Sequence, residues 1–226
     1  MEISVLPLKP EQMKKPVTDE AKLDFGKHFA NRMLLVEWTS EKGWHNARIK
    51  PYEPFLMDPA AMVLHYSQEI FEGLKAYRWQ DGRIALFRPE MNAKRFNRSA
   101  ARLCMPELPE ELFTNGIRQL VSLEKDWVPG APGTSLYIRP TMIAVEPALG
   151  VKPADHYYFY VILSPVGAYY SAGFKPVSIM VEDKYVRAVP GGTGDAKTGG
   201  NYAASLKAAL EAKDKGYDQV LWLDGK

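Results

Sequence analysis

Two long apolar runs constrain the fold of this chain more than any other feature of its sequence. The run TSLYIRPTMIAV covers residues 134–145, and the run YYFYVILS covers residues 157–164. Both are rich in β-branched and aromatic residues, which favour strands that lie in a half-buried sheet. In the first run Tyr137 and Arg139 are two residues apart, so their side chains are expected on the same sheet face. We therefore predict two strands here.

Amphipathic helices and shorter strands surround these runs. A helix is predicted over NAKRFNRSAARLC, with an apolar stripe of Phe96, Ala100, Leu103 and Cys104. A second helix is predicted after Pro109, with a stripe of Leu112, Phe113, Gly116, Ile117, Leu120 and Val121. Further strands are predicted at MLLVEW and PVSIMVE, a hairpin turn at Gln80-Asp81-Gly82, and a helix over SLKAALEAKDK that Gly216 ends. This mixture predicts an α/β fold.

The composition excludes several classes of function. Hydrophobic residues make up 46% of the chain and charged residues 25%, which is typical of a globular protein. A net charge of +2 gives no reason to expect nucleic acid or a membrane surface as the main partner. Cys104 is the only cysteine and the four histidines are scattered, so neither a disulfide within the chain nor a metal site is expected. Without a signal-like segment, the expected location is the cytoplasm.

The strongest indication of function is the segment PGGTGDAKTGGNY, residues 190–202. Glycines at positions 191, 192, 194, 199 and 200 surround Lys197, so the backbone can wrap closely around a bulky group. Most lysines are solvated surface charges, but this one lies in a glycine-lined loop that leads into a helix. A lysine held in a pocket can lose its proton and attack an aldehyde, which is the chemistry that a pyridoxal cofactor requires.

A nucleotide-binding loop is an alternative interpretation of the same segment. GGTGDAKT differs from the G-x-x-x-x-G-K-[ST] pattern because Ala196 replaces the last glycine. The methyl group of Ala196 would stand where phosphates need close approach of the backbone. A proline and a polar run precede the loop in place of a buried strand, so the context also argues against a nucleotide site.

Eight segments, spread in order over nearly the whole chain, carry a resemblance to a known family. They are FGKHF, LHYSQEIFEGLKAYRW, LFRPEMNAKRF, TSLYIRP, EPALGV, SPVGAYY, GGTGDAKTGGNY and QVLWLDG. Together they resemble the branched-chain amino acid aminotransferases of fold type IV. The resemblance implies a two-lobed α/β (α+β) fold that uses pyridoxal 5'-phosphate (PLP). It also implies transamination between leucine, isoleucine or valine and 2-oxoglutarate.

The resemblance implies roles for three residues around PLP. Lys197 matches the family's Schiff-base lysine, which is also the base that moves a proton between the substrate Cα and the cofactor C4′. Tyr202 matches the tyrosine that hydrogen-bonds the phenolic oxygen of the cofactor. Arg95 matches the phosphate-binding arginine, a role that suits a guanidinium. Without the resemblance, Tyr202 would be interpreted as a half-buried tyrosine at a helix start and Arg95 as an exposed helix residue.

The resemblance also implies a substrate pocket and a partner subunit. Uncharged substrate side chains need an apolar, aromatic pocket. The matching residues are Phe25, Tyr66, Phe71, Tyr137, Arg139 and Tyr169. The aromatic residues could instead be ordinary core, while tyrosine hydroxyls and Arg139 could meet the γ-carboxylate of glutamate. Leu149 and Val151 match a loop that reaches into the partner's site, so a homodimer is expected.

The lobes implied by the resemblance divide the chain into three parts. A small N-terminal α/β domain covers residues 1–165, a linker covers 166–176, and the start of the large PLP-binding domain covers 177–226. The last strand, DQVLWL, precedes a hairpin signal at Asp224-Gly225, so we expect the natural protein to continue past Lys226. In the family pattern that continuation supplies an acidic partner for the pyridine nitrogen and further phosphate ligands. A 226-residue polypeptide is therefore expected to be inactive.

Three alternatives to this function stay open. D-amino acid aminotransferases and aminodeoxychorismate lyases share the fold, although EGLKAYR and the glycine-rich loop favour the branched-chain type. The third is a non-catalytic module that binds a phosphate ligand or a protein partner. The combination of Lys197, Tyr202 and Arg95 argues against it, because such a module needs no cofactor-bonding lysine.

Overall fold

The structure, a computed structural model, describes residues 1–167 and 175–225. Within these ranges the strands are β1 (Ser4–Val5), β2 (Arg32–Thr39), β3 (Gly43–Pro51), β4 (Glu69–Phe71), β5 (Leu74–Arg78), β6 (Ile84–Leu86), β7 (Ser135–Ala144), β8 (His156–Val166), β9 (Ile179–Glu182) and β10 (Gln219–Trp222). The helices are α1 (Met62–Tyr66), α2 (Pro89–Arg102), α3 (Glu110–Leu123), α4 (Gly199–Ala203) and α5 (Leu206–Asp214). Short 3-10 segments lie at Pro10–Gln12, Glu20–Lys22 and Lys125–Trp127.

Eight of the strands form one mixed sheet, in the order β1-β3-β2-β8-β7-β5-β6, with β4 also paired to β7. The two apolar runs are confirmed as strands: they form β7 and β8, which are antiparallel from Ser135 opposite Val166 to Ala144 opposite Tyr157. Both β4 and β5 pair with β7, so the two residues between them interrupt what would otherwise be one strand. The predicted hairpin is also confirmed, because β5 and β6 are antiparallel and Gly82 adopts a φ of +84° in the turn.

Helices α2 and α3 contribute their apolar faces to the core on the sheet. All six residues predicted as the stripe of α3 are buried, although Pro109 is the N-cap and lies just outside the helix. In α2 the buried face includes Phe96 and Ala100 as predicted. The inclusion of Cys104 was wrong: the helix ends at Arg102, and Cys104 is exposed with a φ of 54°. Beyond the last helical residue, helical spacing no longer determines which side chain is buried.

Residues 175–225 build a second, smaller sheet. Strands β9 and β10 are parallel, with Gln219 opposite Ile179 and Trp222 opposite Glu182. The predicted helix is confirmed as α5, and Gly216 follows its end with a φ of +83°. Within this part of the chain β10 pairs only with β9, so the turn predicted at Asp224-Gly225 joins no second strand there. Among the described residues, no helix is both long enough and apolar enough to cross a membrane.

Candidate active site

Two neighbouring elements hold the backbone of Lys197. The N–H of Lys197 donates to Oγ of Ser99, in helix α2, at 2.9 Å, and the carbonyl of Lys197 accepts from the N–H of Phe71, in strand β4, at 3.0 Å. Ser99 is 1% exposed, so this bond is shielded from water. Arg102, also in α2, donates from Nη2 to two carbonyls of the same loop at 3.0 and 3.1 Å. The large sheet and its helix therefore fix the position from which Lys197 projects.

Asn201 closes the glycine-rich loop on itself. Its Nδ2 donates to the carbonyls of Thr193 and Ala196 at 2.7 and 2.8 Å, and its Oδ1 accepts from Oγ1 of Thr193 at 2.9 Å. The side chain is buried at the start of α4. Sequence reasoning assigned no role to Asn201, although its place in GGNY, directly after the glycines, was the available signal. These side-chain hydrogen bonds give a loop of flexible residues a defined shape.

The Lys197 side chain lies between two aromatic rings. Its Nζ hydrogen-bonds the hydroxyl of Tyr202 and lies 4.6 Å from the ring centroid of Phe71 and 4.8 Å from that of Tyr202. The two ring centroids are 4.9 Å apart. The guanidinium of Arg187 lies 5.5 Å from the Tyr202 centroid, a contact that sequence reasoning missed. A half-buried amine, a phenol and an aromatic wall are thus brought together.

Four of the predicted pocket residues form a continuous group that begins at Lys197. The guanidinium carbon of Arg139 lies 4.7 Å from the ring centroid of Phe71, and its Nη2 donates to the hydroxyl of Tyr137 at 2.9 Å. This contact confirms that Tyr137 and Arg139 share a sheet face. The ring of Phe25 packs against that of Tyr137 with centroids 4.9 Å apart. The group provides aromatic surface with one guanidinium and one hydroxyl.

Arg95 forms a two-bond ion pair with Glu72. Its Nε donates to Oε1 at 2.5 Å and its Nη2 to Oε2 at 2.8 Å. The side chain of Glu72 is fully buried, whereas 45% of the Arg95 side chain is exposed. Hydrogen bonding to Glu72 raises the pKa of the Arg95 guanidinium, so Arg95 stays charged. Sequence reasoning missed Glu72, although an acidic residue between the apolar residues of IFEG was a usable signal.

Glu69 is a second acidic residue at this site that sequence reasoning did not find. Its Oε1 accepts from the N–H of Gly199 at 2.5 Å, and its backbone carbonyl accepts from Oγ1 of Thr198 at 2.7 Å. Burial raises the pKa of the Glu69 carboxyl, while the Gly199 N–H and the charge of Arg139 oppose this shift. The carboxyl therefore joins strand β4 to the residues that follow Lys197.

The remaining predicted residues lie elsewhere or outside the described part. The hydroxyl of Tyr66 donates to the backbone carbonyl of Leu149. Leu149 and Val151 are 64% and 84% exposed, and no hydrogen bond or ring contact within residues 1–167 and 175–225 joins these three residues to Lys197. Tyr169 lies outside the described residues. In the same described ranges, no group of three or more His, Cys, Asp or Glu side chains could hold a metal ion.

Comparison with protein families gives a match over most of the chain. A family model described as "Amino-transferase class IV" matches residues 69–226. The chain is 56% identical over 212 residues to "Branched-chain-amino-acid aminotransferase 2" of Bacillus subtilis, which covers 94% of this chain and 58% of that protein. It is 57% identical over 201 residues to "Branched-chain-amino-acid aminotransferase" of Mycolicibacterium smegmatis, covering 88% of this chain and 55% of that one. The chain thus spans somewhat more than half the length of these relatives.

Solved structures give a similar result. A T.th. branched-chain amino acid aminotransferase, complexed with N-(5'-phosphopyridoxyl)-L-glutamate, superimposes with a TM-score of 0.65 and 28% identity. The match covers 87% of this chain and 59% of that one. The Escherichia coli branched-chain amino acid aminotransferase superimposes with a TM-score of 0.66 at 23% identity, which shows a shared fold, and covers 87% of this chain and 60% of that one. The fold is therefore that of fold type IV aminotransferases, as expected.

Proposed function

The chain belongs to the class IV aminotransferase family, and from this membership we propose that it acts as a PLP-dependent branched-chain amino acid aminotransferase. In the proposed reaction the amino group of L-leucine, L-isoleucine or L-valine passes to 2-oxoglutarate, giving a branched-chain 2-oxo acid and glutamate. The names of relatives that are more than half identical to this chain support this choice of substrates. The proposed location is the cytoplasm.

The side chains around Lys197 fit a flat aromatic aldehyde that carries a phosphate. Lys197 offers the amine, Tyr202 offers a hydroxyl beside it, and the rings of Phe71 and Tyr202 offer apolar surface. Arg95 lies on helix α2, which also contacts the lysine loop through Ser99, so this helix offers a guanidinium for a phosphate. When bound, PLP supplies the electron sink that stabilises negative charge at the substrate Cα.

Lys197 has two proposed roles, to hold the cofactor covalently and to move a proton at the substrate Cα. Both roles require that Nζ returns to the same position in each turnover. The bonds from the Lys197 peptide to Ser99 and Phe71 fix the base of the side chain, and Tyr202 orients its tip. Proton transfer by a positioned group typically contributes on the order of 10²–10⁴ to a rate, so this role depends on the position of Nζ.

Phe25, Phe71, Tyr137 and Arg139 are proposed to form the side-chain pocket. The two phenylalanines and the ring of Tyr137 provide apolar contacts for leucine, isoleucine or valine. Arg139 and the hydroxyl of Tyr137 form a polar pair that could receive the γ-carboxylate of glutamate. A pocket with both kinds of surface suits an enzyme that alternates between an apolar substrate and an acidic one.

The proposal rests on one observation: Nζ of Lys197 hydrogen-bonds the hydroxyl of Tyr202 and also contacts the ring of Phe71. The test is reduction of the purified full-length protein with borohydride in the presence of PLP, followed by peptide mapping. We expect the label on Lys197 alone, and loss of both label and transamination in Lys197→Ala. Label on another lysine, or undiminished turnover of Lys197→Ala, would refute the assignment.

A panel of 2-oxo acids with glutamate as donor tests the substrate class. We expect the branched-chain 2-oxo acids to be the best acceptors. Activity restricted to D-alanine would identify a D-amino acid aminotransferase, and pyruvate release from aminodeoxychorismate would identify a lyase. Each of these two outcomes would replace the proposed function while leaving the family unchanged.

We further propose a homodimer and a two-domain organisation. Leu149 and Val151 are two exposed apolar side chains in one loop, so they are accessible to a second chain, as the resemblance to the family implies. The proposed domains are residues 1–165 and 177–226, joined by the linker at 166–176. Two separate sheets, one ending at β8 and the other beginning at β9, support this division.

A further inference from the structure

Glu72 binds one edge of the Arg95 guanidinium and leaves the other edge available. An arginine side chain carries five N–H donors in a fixed plane. Glu72 accepts from Nε and from Nη2, which lie along one side of that plane. None of the described residues accepts a hydrogen bond from Nη1. The available donors are therefore the N–H groups of Nη1 and the second N–H of Nη2. Together they can donate to two oxygens of one phosphate.

The carboxylate of Glu72 is itself held in place. Its side chain is fully buried, and its Oε2 also accepts from Nδ2 of Asn92 at 2.7 Å and from the N–H of Gly73 at 3.2 Å. Asn92 lies three residues before Arg95 on helix α2. The same helix therefore supplies donors to both carboxylate oxygens of Glu72. Among the described residues Arg95 is the only cation paired with Glu72.

A buried carboxylate that accepts hydrogen bonds from four N–H donors cannot rotate freely. The two parallel hydrogen bonds from Arg95 therefore hold the guanidinium in the plane of the Glu72 carboxylate. An unpaired arginine with an exposed tip would instead sample many rotamers. Binding a phosphate would restrict it to one rotamer, and the lost side-chain entropy would weaken binding.

We propose that Glu72 is a positioning residue that orients Arg95, so that its Nη1 end meets the phosphate of the cofactor. This inference rests on the proposed function, because it assumes that PLP binds beside Lys197. Glu72 does not touch the phosphate and acts only through Arg95. The consequence is specific: Glu72 contributes to binding of the phosphorylated cofactor and contributes little to binding of the same ring without a phosphate.

The test compares the affinities of the full-length protein for PLP and for pyridoxal, measured by absorbance and fluorescence titration. The quantity of interest is the preference, meaning the dissociation constant for pyridoxal divided by that for PLP. Glu72→Gln keeps the shape but removes the charge and one acceptor oxygen, and we expect the preference to fall about tenfold. Arg95→Ala should lower it further. The double variant should match Arg95→Ala, because Glu72 has no effect without Arg95.

Two more variants separate positioning from general loss of structure. Glu124→Gln is the matched control, because Glu124 is also a buried carboxylate, bonded to Arg32 at 2.6 Å, away from the site. It should lower stability and leave the preference unchanged. Asn92→Ala removes one donor to Oε2 and should reduce the preference about threefold, which keeps the test decisive if Glu72→Gln fails to fold.

The outcomes distinguish this inference from the function on which it rests. If the unaltered protein binds pyridoxal as tightly as PLP, the phosphate site at Arg95 is wrong and both proposals fail. If Arg95→Ala abolishes the preference while Glu72→Gln and Asn92→Ala retain it, the function stands and the positioning role is overturned. A preference that rises in Glu72→Gln would also overturn it, because Glu72 would then act by repelling the phosphate.

Discussion

The hydroxyl of Ser99 accepts a hydrogen bond from the backbone N–H of Lys197 at 2.9 Å, across 98 residues of sequence. Ser99 lies four residues after Arg95 on helix α2, so the two residues project from the same side of that helix. One helix therefore contacts the lysine loop and also carries the proposed phosphate ligand. Helix α2 therefore helps to set the distance between the two proposed cofactor ligands, Lys197 and Arg95.

Replacing Ser99 with alanine should destabilise the lysine loop. The substitution leaves the N–H of Lys197 without its acceptor in a buried setting, which costs about 1–3 kcal/mol of unfolding free energy. We expect weaker covalent retention of PLP as well, because the base of the Lys197 side chain is no longer fixed. Urea unfolding and the absorbance of retained cofactor after dialysis measure the two effects. Ser122→Ala, at an exposed position of helix α3, is the control and should change neither.

A side chain at Gly73 should disturb the proposed pocket. A Cβ atom there would lie 2.3 Å from the hydroxyl oxygen of Tyr137, so Gly73→Ala requires the Tyr137 ring to move. That movement would break the bond from Arg139 to Tyr137. We expect the KM for branched-chain substrates to rise about tenfold, in proportion to the loss of about 1.4 kcal/mol of binding.

The control for this substitution is Gly130→Ala, where the added Cβ would make an ordinary contact of 3.5 Å with Arg78. Both changes add one methyl group to a glycine of the same protein. If Gly73→Ala shows the KM of the unaltered protein, Tyr137 and Arg139 are not part of the substrate pocket. A crystal structure of the variant would show whether the ring moved.

The strands and helices could be predicted from the sequence where one periodic pattern governs a whole element. The stripe of α3 was predicted residue by residue, because a helix on a sheet exposes one face and buries the other. The stripe of α2 failed at Cys104, since the chain leaves the helix two residues earlier. Tyr202 was placed at a helix start, but the bounds of the short helix α4 were not predicted, because GGNYA has no apolar periodicity and depends on the side-chain bonds of Asn201.

The candidate site could be predicted only in part, for a related reason. Lys197 was found from its glycines, and Tyr202 and Arg95 from the resemblance to a family. Glu69 and Glu72 were not found, because their importance depends on partners 130 and 23 residues away in the chain. The local pattern IFEG can indicate that an acidic residue is buried, but it cannot show which residues it pairs with. The pairing of β4 with β7 helps to place this segment beside the lysine loop and helix α2.

The stability of the protein should depend on pH through Glu69. Burial raises the pKa of its carboxyl above the ordinary value of 4.5, so the folded protein binds this proton more tightly than the unfolded chain. The stabilisation that such a group adds to the unfolding free energy is fully present below the ordinary pKa. It is lost as the pH rises through the raised pKa. Glutamine cannot titrate, so the stability of Glu69→Gln relative to the unaltered protein should increase as the pH rises above 4.5.

Urea unfolding of both proteins between about pH 4 and about pH 7 tests this expectation. The control is Ile70→Val on the same strand, which removes one buried methylene without changing a charge, so its effect should be constant across the range. A stability difference for Glu69→Gln that is also constant, or that decreases with pH, would contradict the expected direction.

The exposed residues Leu149 and Val151 provide the test of the proposed dimer. Removing a Leu side chain from water at an interface contributes about 1.5–3 kcal/mol, and an aspartate in its place would bring an unpaired charge into the same contact. We therefore expect Leu149→Asp to weaken dimerisation at least tenfold, as measured by sedimentation velocity across a concentration series. Met13→Asp is the control, because Met13 is equally exposed, at 64%, but lies in the N-terminal segment.

Leu149→Asp should also lower activity in step with the dimer fraction if this loop contributes to the partner's site. A fully dimeric Leu149→Asp protein would show that the loop at 147–151 is outside the interface, and an active monomer would show that each chain has a complete site of its own.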